Sequence, residues 1–259
     1  MTNLFYLPIG ILGAIFGSFA NVLILRDNKR ASIVTGRSEC PSCKHILGVT
    51  DLIPILSYIG LGGKCRYCRK LISWQYPLVE AIAACLALYA FWYGLVQHGS
   101  VILTLGLFVS LMSFLILSVI DIRTLSVTWD YCLLAGVAGG LGQVLAHTLS
   151  LQAVLLGAAV GAGSIIAIIY GWKLIFKQDG MGSGDIWIAA AVGACVGWPS
   201  LIVALYGAIL IGALYGVSQI IARKKSMGME IPFGPFLAIG VLIALQWGQQ
   251  LVAWYILNL

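Results

Sequence analysis

The lysines and arginines of this sequence are placed in a way that constrains the fold more than any other feature. Eight apolar segments run at roughly 4–25, 77–96, 101–120, 130–148, 151–172, 185–197, 199–222 and 232–256. Nine cations, Arg26, Lys29, Arg30, Arg37, Lys44, Lys64, Arg66, Arg69 and Lys70, fall between the first two segments. Arg123 follows the third segment, Lys173 and Lys177 the fifth, and Arg223, Lys224 and Lys225 the seventh. With eight crossings, all 15 cations share one face, and the connections near His98, His147 and Trp198-Pro199 carry none. Cations concentrate on the cytoplasmic side of membrane proteins. Removing one crossing would divide the charges between both faces. The expected fold is therefore an all-α polytopic membrane protein of about eight transmembrane helices, embedded in the lipid bilayer.

The composition agrees. The chain is 61% hydrophobic and 9% charged, against about 25% charged for a soluble domain. No cation precedes the first segment and three follow it, the reverse of a secretory signal, so the N-terminus is expected outside. The net charge of +6 is explained by topology and not by nucleic acid. The sixth segment, 185–197, is short for a full crossing and suits a re-entrant or broken helix. Small-xxx-small pairs, such as Gly13/Gly17, Gly157/Gly161 and Gly212/Gly216, predict close helix packing. No convincing internal repeat is visible.

Three regions follow: a first helix at 1–25, a polar loop at 26–76 and a helical core at 77–259. The loop holds Cys40-Pro-Ser-Cys43 and Cys65-Arg-Tyr-Cys68. Two CxxC pairs at this separation come close to zinc-ribbon spacing. Four thiolates satisfy tetrahedral zinc, and a short loop with little core gains from a metal staple. A cytoplasmic location disfavours disulfides. A structural zinc on Cys40, Cys43, Cys65 and Cys68 is thus expected, with His45 surplus. Cys85, Cys132 and Cys195 are read as core residues.

Among nine acids, Asp27, Glu39 and Asp51 are expected to face solvent, while Asp179 and Glu230 lie in connections. Asp130 suits a helix start, and Glu80 lies a turn into the second segment. Asp121 ends the third segment and Asp185 starts the sixth, so the topology puts both at one membrane face. Acids at a membrane boundary are functional candidates. If the two converge, like charges would leave one proton between them, as aspartic proteolysis requires. A helix cap or a partner for Arg123 is the alternative for either acid alone. Gly180-Met-Gly182-Ser-Gly184-Asp185 precedes the sixth segment. Its glycines, Gly182 and Gly184 above all, are read as supporting residues that let the backbone open beside the acid for an extended peptide.

Taken together, these motifs resemble the type IV prepilin peptidases. The resemblance covers nearly the whole chain. It rests on Gly17-Ser-Phe-Ala-Asn-Val-Leu-Ile-Leu-Arg26, the two CxxC pairs, Asp51-Leu-Ile-Pro-Ile-Leu-Ser57 and Ile72-Ser-Trp-Gln-Tyr-Pro-Leu-Val-Glu80. Ile120-Asp-Ile-Arg123, Gly182-Ser-Gly-Asp185 and Ile231-Pro-Phe-Gly-Pro-Phe236 complete it. It implies a bacterial inner-membrane enzyme with the zinc domain and active site facing the cytoplasm. Such an enzyme removes the short basic leader of prepilins or pseudopilins, usually after glycine and before phenylalanine. It then methylates the new N-terminus with S-adenosylmethionine. Asp121 and Asp185 carry over as the catalytic pair, and the four cysteines as zinc ligands. Two positions depart from the family pattern: Trp187 where Lys is usual, and Thr128 where Pro is usual. No glycine fingerprint for S-adenosylmethionine is found. A transporter is disfavoured because both acids lie at one face and not near the midplane. A membrane-anchored zinc-ribbon interaction module is disfavoured because an anchor does not need eight crossings.

Overall fold

A computed structural model describes residues 3–26, 37–177, 182–222 and 231–258. Asp27, Lys29, Arg30, Asp179, Gly180, Met181, Arg223, Lys224, Lys225 and Glu230 lie outside the described residues. The described chain contains helices α1 Asn3–Arg26, α2 Leu56–Gly60, α3 Gln75–Phe91 with a π-helical continuation Trp92–Gln97, α4 Val101–Thr124, α5 Trp129–Leu145, α6 Leu151–Phe176, α7 Gly184–Val196, α8 Leu201–Ile221 and α9 Gly234–Leu257. No β-strand occurs among the described residues, only two isolated bridges.

Each of the eight apolar segments is helical. Six helices are long and apolar enough to cross a bilayer: α1, α3 with its continuation, α4, α6, α8 and α9. Helix α5, with 17 residues, and α7, with 13, reach only about 25 Å and 20 Å at 1.5 Å per residue, short of a core of about 30 Å. Length therefore supports six crossings outright.

The chain divides into two compact units, Met1–Gly99 and Ser100–Leu259. In the first, α1 packs along α3. Their backbones come close because Gly13 and Gly17 lack side chains. A Cβ on Gly13 would lie 2.6 Å from the Ala87 Cβ, and one on Gly17 would lie 2.7 Å from the Glu80 Cα. The loop between the two helices carries the cysteines and belongs to the same unit. Cys85 sits on the exposed face of α3, not in a core.

In the second unit, α4 is the most buried of the six long helices. It packs on α5 and α9 and presents Leu103, Leu107, Leu111, Phe114, Leu117 and Ile120 to the interior. Side chains cap its start and that of α6: the Ser100 and Ser150 hydroxyls accept from the N–H groups of Leu103 and Ala153. The short α7 is walled by α5, α6 and α9. Its small side chains allow that. Gly157 and Gly161 of α6 lie directly against the carbonyls of Gly193 and Ala189, where any Cβ would overlap backbone. A helix enclosed by protein need not match the bilayer in length, which accounts for its 13 residues.

Candidate active site and metal centre

Helix α4 carries Asp121 into the second unit near its C-terminal end. The residue is 5% exposed. Its Oδ2 accepts a hydrogen bond of 2.8 Å from the backbone N–H of Gly234. Gly234 is the first residue of α9, and Pro235 follows it. The N–H groups of a first helical turn have no partner within the helix and carry partial positive charge. Proline has no N–H, so the Gly234 amide is the donor this helix start can offer there. A Cβ on Gly234 would lie 2.9 Å from the same carboxylate oxygen. Glycine is thus the residue that permits this approach.

Asp185 lies in the first turn of α7 and is 8% exposed. Its own N–H donates to the Gly182 carbonyl at 3.2 Å, and the Gly182 backbone lies near enough to favour the ionised carboxyl. The two carboxyl groups are close enough to interact electrostatically. Cys132, buried on α5, also lies within the field of Asp185, and Cys195 is buried as expected.

The motif glycines do something other than expected. Gly184 does not open the backbone. It lets α7 start tight against the connection between α4 and α5, where an added Cβ would lie 2.5 Å from the Val127 Cβ and 2.7 Å from its Cγ2. Gly182 has room for a Cβ, 3.7 Å from the Asp185 carboxylate, and contributes through its backbone. Trp187 is 59% exposed. Two residues along a helix correspond to about 200° of rotation, so it points away from the face that buries Asp185. Thr128 occupies the N-cap position of α5, and Asp130 lies in that helix's first turn, where an acid favours the dipole. The role of Gly234 was not identified from sequence. The available signal was a Gly-Pro pair opening an apolar segment.

In the first unit, the four cysteine Sγ atoms lie within 4.8 Å of one another. Cys40 and Cys68 Sγ are 3.9 Å apart, close to the edge of about 3.8 Å that Zn–S bonds of about 2.3 Å give a tetrahedron. Residues 39–46 and 64–71 repeat one backbone pattern. Cys40 N–H donates to the His45 carbonyl as Cys65 N–H does to Lys70, each at 2.9 Å. Lys44 and Arg69 N–H return to the Cys40 and Cys65 carbonyls. Bridges Glu39–Ile46 and Lys64–Leu71 close the two knuckles. The backbone repeat follows the sequence: Cys40/Cys65, Cys43/Cys68, Lys44/Arg69 and Ile46/Leu71 take matching positions.

The N–H of Cys43 favours the Cys40 thiolate and lowers that thiol to about 7. At Cys43 the His45 N–H acts in the same sense. Desolvation and the neighbouring Cys40 and Cys68 sulfurs outweigh it and push that thiol up to about 11. Crowded thiols that resist ionising together are a donor set suited to a cation. The residues present fit a tetrahedral zinc. His45 is outside the cluster and stacks on Tyr67, with ring centroids 3.6 Å apart.

Asp51 is not a solvent-facing acid. Burial alone would push its carboxyl up, but Arg66 at 2.7 Å, the Gly48 N–H at 3.1 Å and the Tyr67 hydroxyl at 3.2 Å hold it below its usual range. It joins the loop before α2 to the second knuckle. Glu39 pairs with Lys44 at 2.9 Å. Glu80, buried on α3, accepts from the Ile55 N–H at 2.8 Å and from Ser18.

Known proteins can be set against this geometry. The model of the Bacterial Peptidase A24 N-terminal domain matches residues 11–94, and that of the Type IV leader peptidase family matches residues 107–217. A prepilin leader peptidase/N-methyltransferase of Pseudomonas aeruginosa is 34% identical over 276 residues, covering 95% of this chain and 91% of its own. The protein of the same name from Bacillus subtilis is 32% identical over 252 residues, covering 95% and 96%. That of Aeromonas salmonicida is 33% identical over 230 residues, covering 89% and 78%. No solved structure matches. Both halves of the chain and most of its length agree with one group of proteins: the chain belongs to the type IV leader peptidase family.

Proposed function

We propose that this protein is a membrane aspartic endopeptidase that removes the leader of type IV prepilins or pseudopilins, with Asp121 and Asp185 as its catalytic pair. The observation that carries the reading is that two buried carboxyl groups from different helices lie near enough to interact electrostatically, with Asp121 oriented by the Gly234 N–H. This mechanism needs no metal.

With one proton shared between the acids, the ionised carboxylate removes a proton from a water molecule. The water oxygen attacks the scissile carbonyl carbon, while the protonated acid donates to the carbonyl oxygen. The tetrahedral diol then collapses. Its C–N bond breaks as the nitrogen takes a proton from the protonated acid, a diol hydroxyl gives its proton to the ionised one, and the leader leaves as a carboxylic acid with one proton back on the pair. The backbone donor at Gly234 fixes the orientation of the Asp121 carboxyl without a side chain that could swing away.

Zinc, where bound to Cys40, Cys43, Cys65 and Cys68, makes residues 37–74 a small folded domain and is structural. Methylation of the new N-terminal amine follows from the names of the relatives. S-adenosylmethionine supplies the methyl group as co-substrate. The described residues contain no strand followed by a glycine-rich turn, so no residue is assigned to it. The placement of the cations supports eight crossings in a bacterial inner membrane, with the N-terminus outside and the loop and acids facing the cytoplasm. Helix α7 would then cross within a protein-lined environment, and α5 with Leu133, Val137 and Leu141 facing outward.

The deciding experiment is mass spectrometry of a prepilin with a basic leader and a Gly–Phe junction, co-expressed with this protein. The expected product has lost its leader and gained the mass of one methyl group. An uncleaved prepilin would overturn the peptidase reading, and a cleaved but unmodified one would remove the methylation.

A further inference from the structure

The loop between α1 and α3 is polar in charge but not in its middle. Residues 49–59, Val-Thr-Asp-Leu-Ile-Pro-Ile-Leu-Ser-Tyr-Ile, carry more large aliphatic side chains than a metal-stapled domain of this size can enclose. The structure leaves Val49, Leu52, Ile53, Leu56, Ile59 and Trp74 exposed, Leu56 at 68% and Trp74 at 75%. An apolar surface of this extent on a small charged domain marks a contact.

Its depth identifies the contact. The Ile55 N–H is bound to Glu80 Oε2 at 2.8 Å. Glu80 lies five residues into α3, which begins the candidate span at Gln75. At 1.5 Å per residue the bond sits about 7.5 Å along the helix from its start. Interfacial segments bury their apolar faces about 5–10 Å into the boundary between headgroups and acyl chains. With the bilayer boundary taken at the start of this candidate span, the segment around Ile55 is tied to α3 at that level.

The surface is also continuous with one that faces lipid. Trp74 is followed at four-residue spacing by Leu78 and Ile82, both exposed on α3, so the three lie on one helix face. Trp74 in turn packs against Tyr58 of α2, with ring centroids 5.4 Å apart. The apolar surface thus runs from α2 through Trp74 onto the outer face of a span. The next knuckle adds exposed Lys64, Arg66, Arg69 and Lys70. Cations beside an apolar interfacial segment suit anionic headgroups.

We propose that residues 49–59 with Trp74 form a membrane-interface anchor. Its apolar side chains enter the outer acyl boundary beside α3, and the second knuckle holds anionic lipid headgroups. The anchor would keep the cysteine domain flat on the bilayer instead of free on its tethers. The inference does not depend on the peptidase reading.

The test uses the full chain in vesicles of phosphatidylethanolamine and phosphatidylglycerol. Benzoylphenylalanine is placed at Leu56 or Ile59, with exposed Ser42 on the first knuckle as comparison. All three positions are already exposed, so the probe displaces no core. After illumination, lipid adducts at Leu56 and Ile59 should exceed those at Ser42 by about tenfold, as expected for a site within the acyl boundary. Adducts no more frequent than at Ser42 would overturn the proposal. So would cross-links formed only with a second copy or with a co-expressed prepilin, which would assign the surface to a polypeptide. The combined Lys64→Gln, Arg69→Gln and Lys70→Gln variant should lower the adduct yield several-fold. An unchanged yield would overturn the headgroup half. Arg66 is left in place because it holds Asp51.

Discussion

Around the four cysteines, each ligand is placed by its near neighbours in sequence. A knuckle of eight residues, closed by its own backbone hydrogen bonds, sets Cys40 against Cys43, and a second sets Cys65 against Cys68. Around Asp121 and Asp185, the placement is remote. Gly234, which holds Asp121, lies 113 residues away, and α7 is positioned by Val127 of another connection. Local spacing suffices for the first kind of site. The second exists only when several helices have packed.

The comparison predicts different responses to damage. The largest effect is chemical. Asp121→Asn and Asp185→Asn should each lower leader cleavage about a thousandfold or more, the scale of a general acid or base. The inserted protein should still be recovered in the membrane at normal yield. Near-normal processing by either variant would remove that acid from the mechanism.

Next comes Cys40→Ser. Loss of one of four thiolates should release the metal, measured as zinc per chain, and cost the domain several kcal/mol. Hydrogen exchange should then rise across 37–74 while the helices of Ser100–Leu259 keep their protection. Equal loss in both units would break the contrast between a locally built and a remotely built site.

A mutation touching neither acid probes the remote construction. Gly184→Ala should push α7 off Val127 and reduce cleavage by roughly tenfold to a hundredfold, as small misplacements of reacting groups do. Val127→Gly in the same chain, which removes the overlapping Cβ as well as both methyl groups, should restore most of the rate. Failure of that rescue would mean the glycine acts through something other than this contact.

Smaller effects probe the local construction. Lys44 and Arg69 occupy matching left-handed positions, φ 59° and 60°, which cost a non-glycine residue about 1–2 kcal/mol. Arg69→Gly should stabilise the metal-bound domain by about 1 kcal/mol or less, since glycine's greater unfolded freedom offsets part of the relief. A lower melting temperature would contradict the strain. Asp51→Asn should destabilise by about 1 kcal/mol at most, because Arg66 remains half in solvent. The carboxyl of Asp51 is lower in the folded chain than its usual 3.8. Its contribution is therefore complete above about pH 4 and declines as pH falls through the folded value. The difference in melting temperature between wild type and Asp51→Asn should stay flat from pH 7 to pH 5 and begin to close below about pH 4.

What could be read from the sequence follows the same division. The cysteine spacing and the apolar runs were legible because both are periodic or local. Asp121 and Asp185 could be placed at one face by counting cations, without any contact being known. Gly234 could not be joined to Asp121, since nothing in a linear pattern links a helix start to a carboxylate 113 residues earlier. Gly184 was misread for a related reason. Glycine permits both an open backbone and a close approach, and only the position of Val127 decides between them. Asp51 looked solvent-facing because its donors, Arg66 and Tyr67, belong to the other knuckle. Cys85 looked buried because, in a helix apolar on all sides, composition does not tell the face toward protein from the face toward lipid.

The hydrogen bond from Gly234 also has a consequence for the order in which the chain is made. Asp121 emerges first, Asp185 later, and Gly234 only with the opening of the last helix. A nascent chain halted after α7 would hold both acids and lack the donor that orients one of them. The proposed protease would be incomplete for most of its own synthesis, and its final helix would serve as the step that arms it.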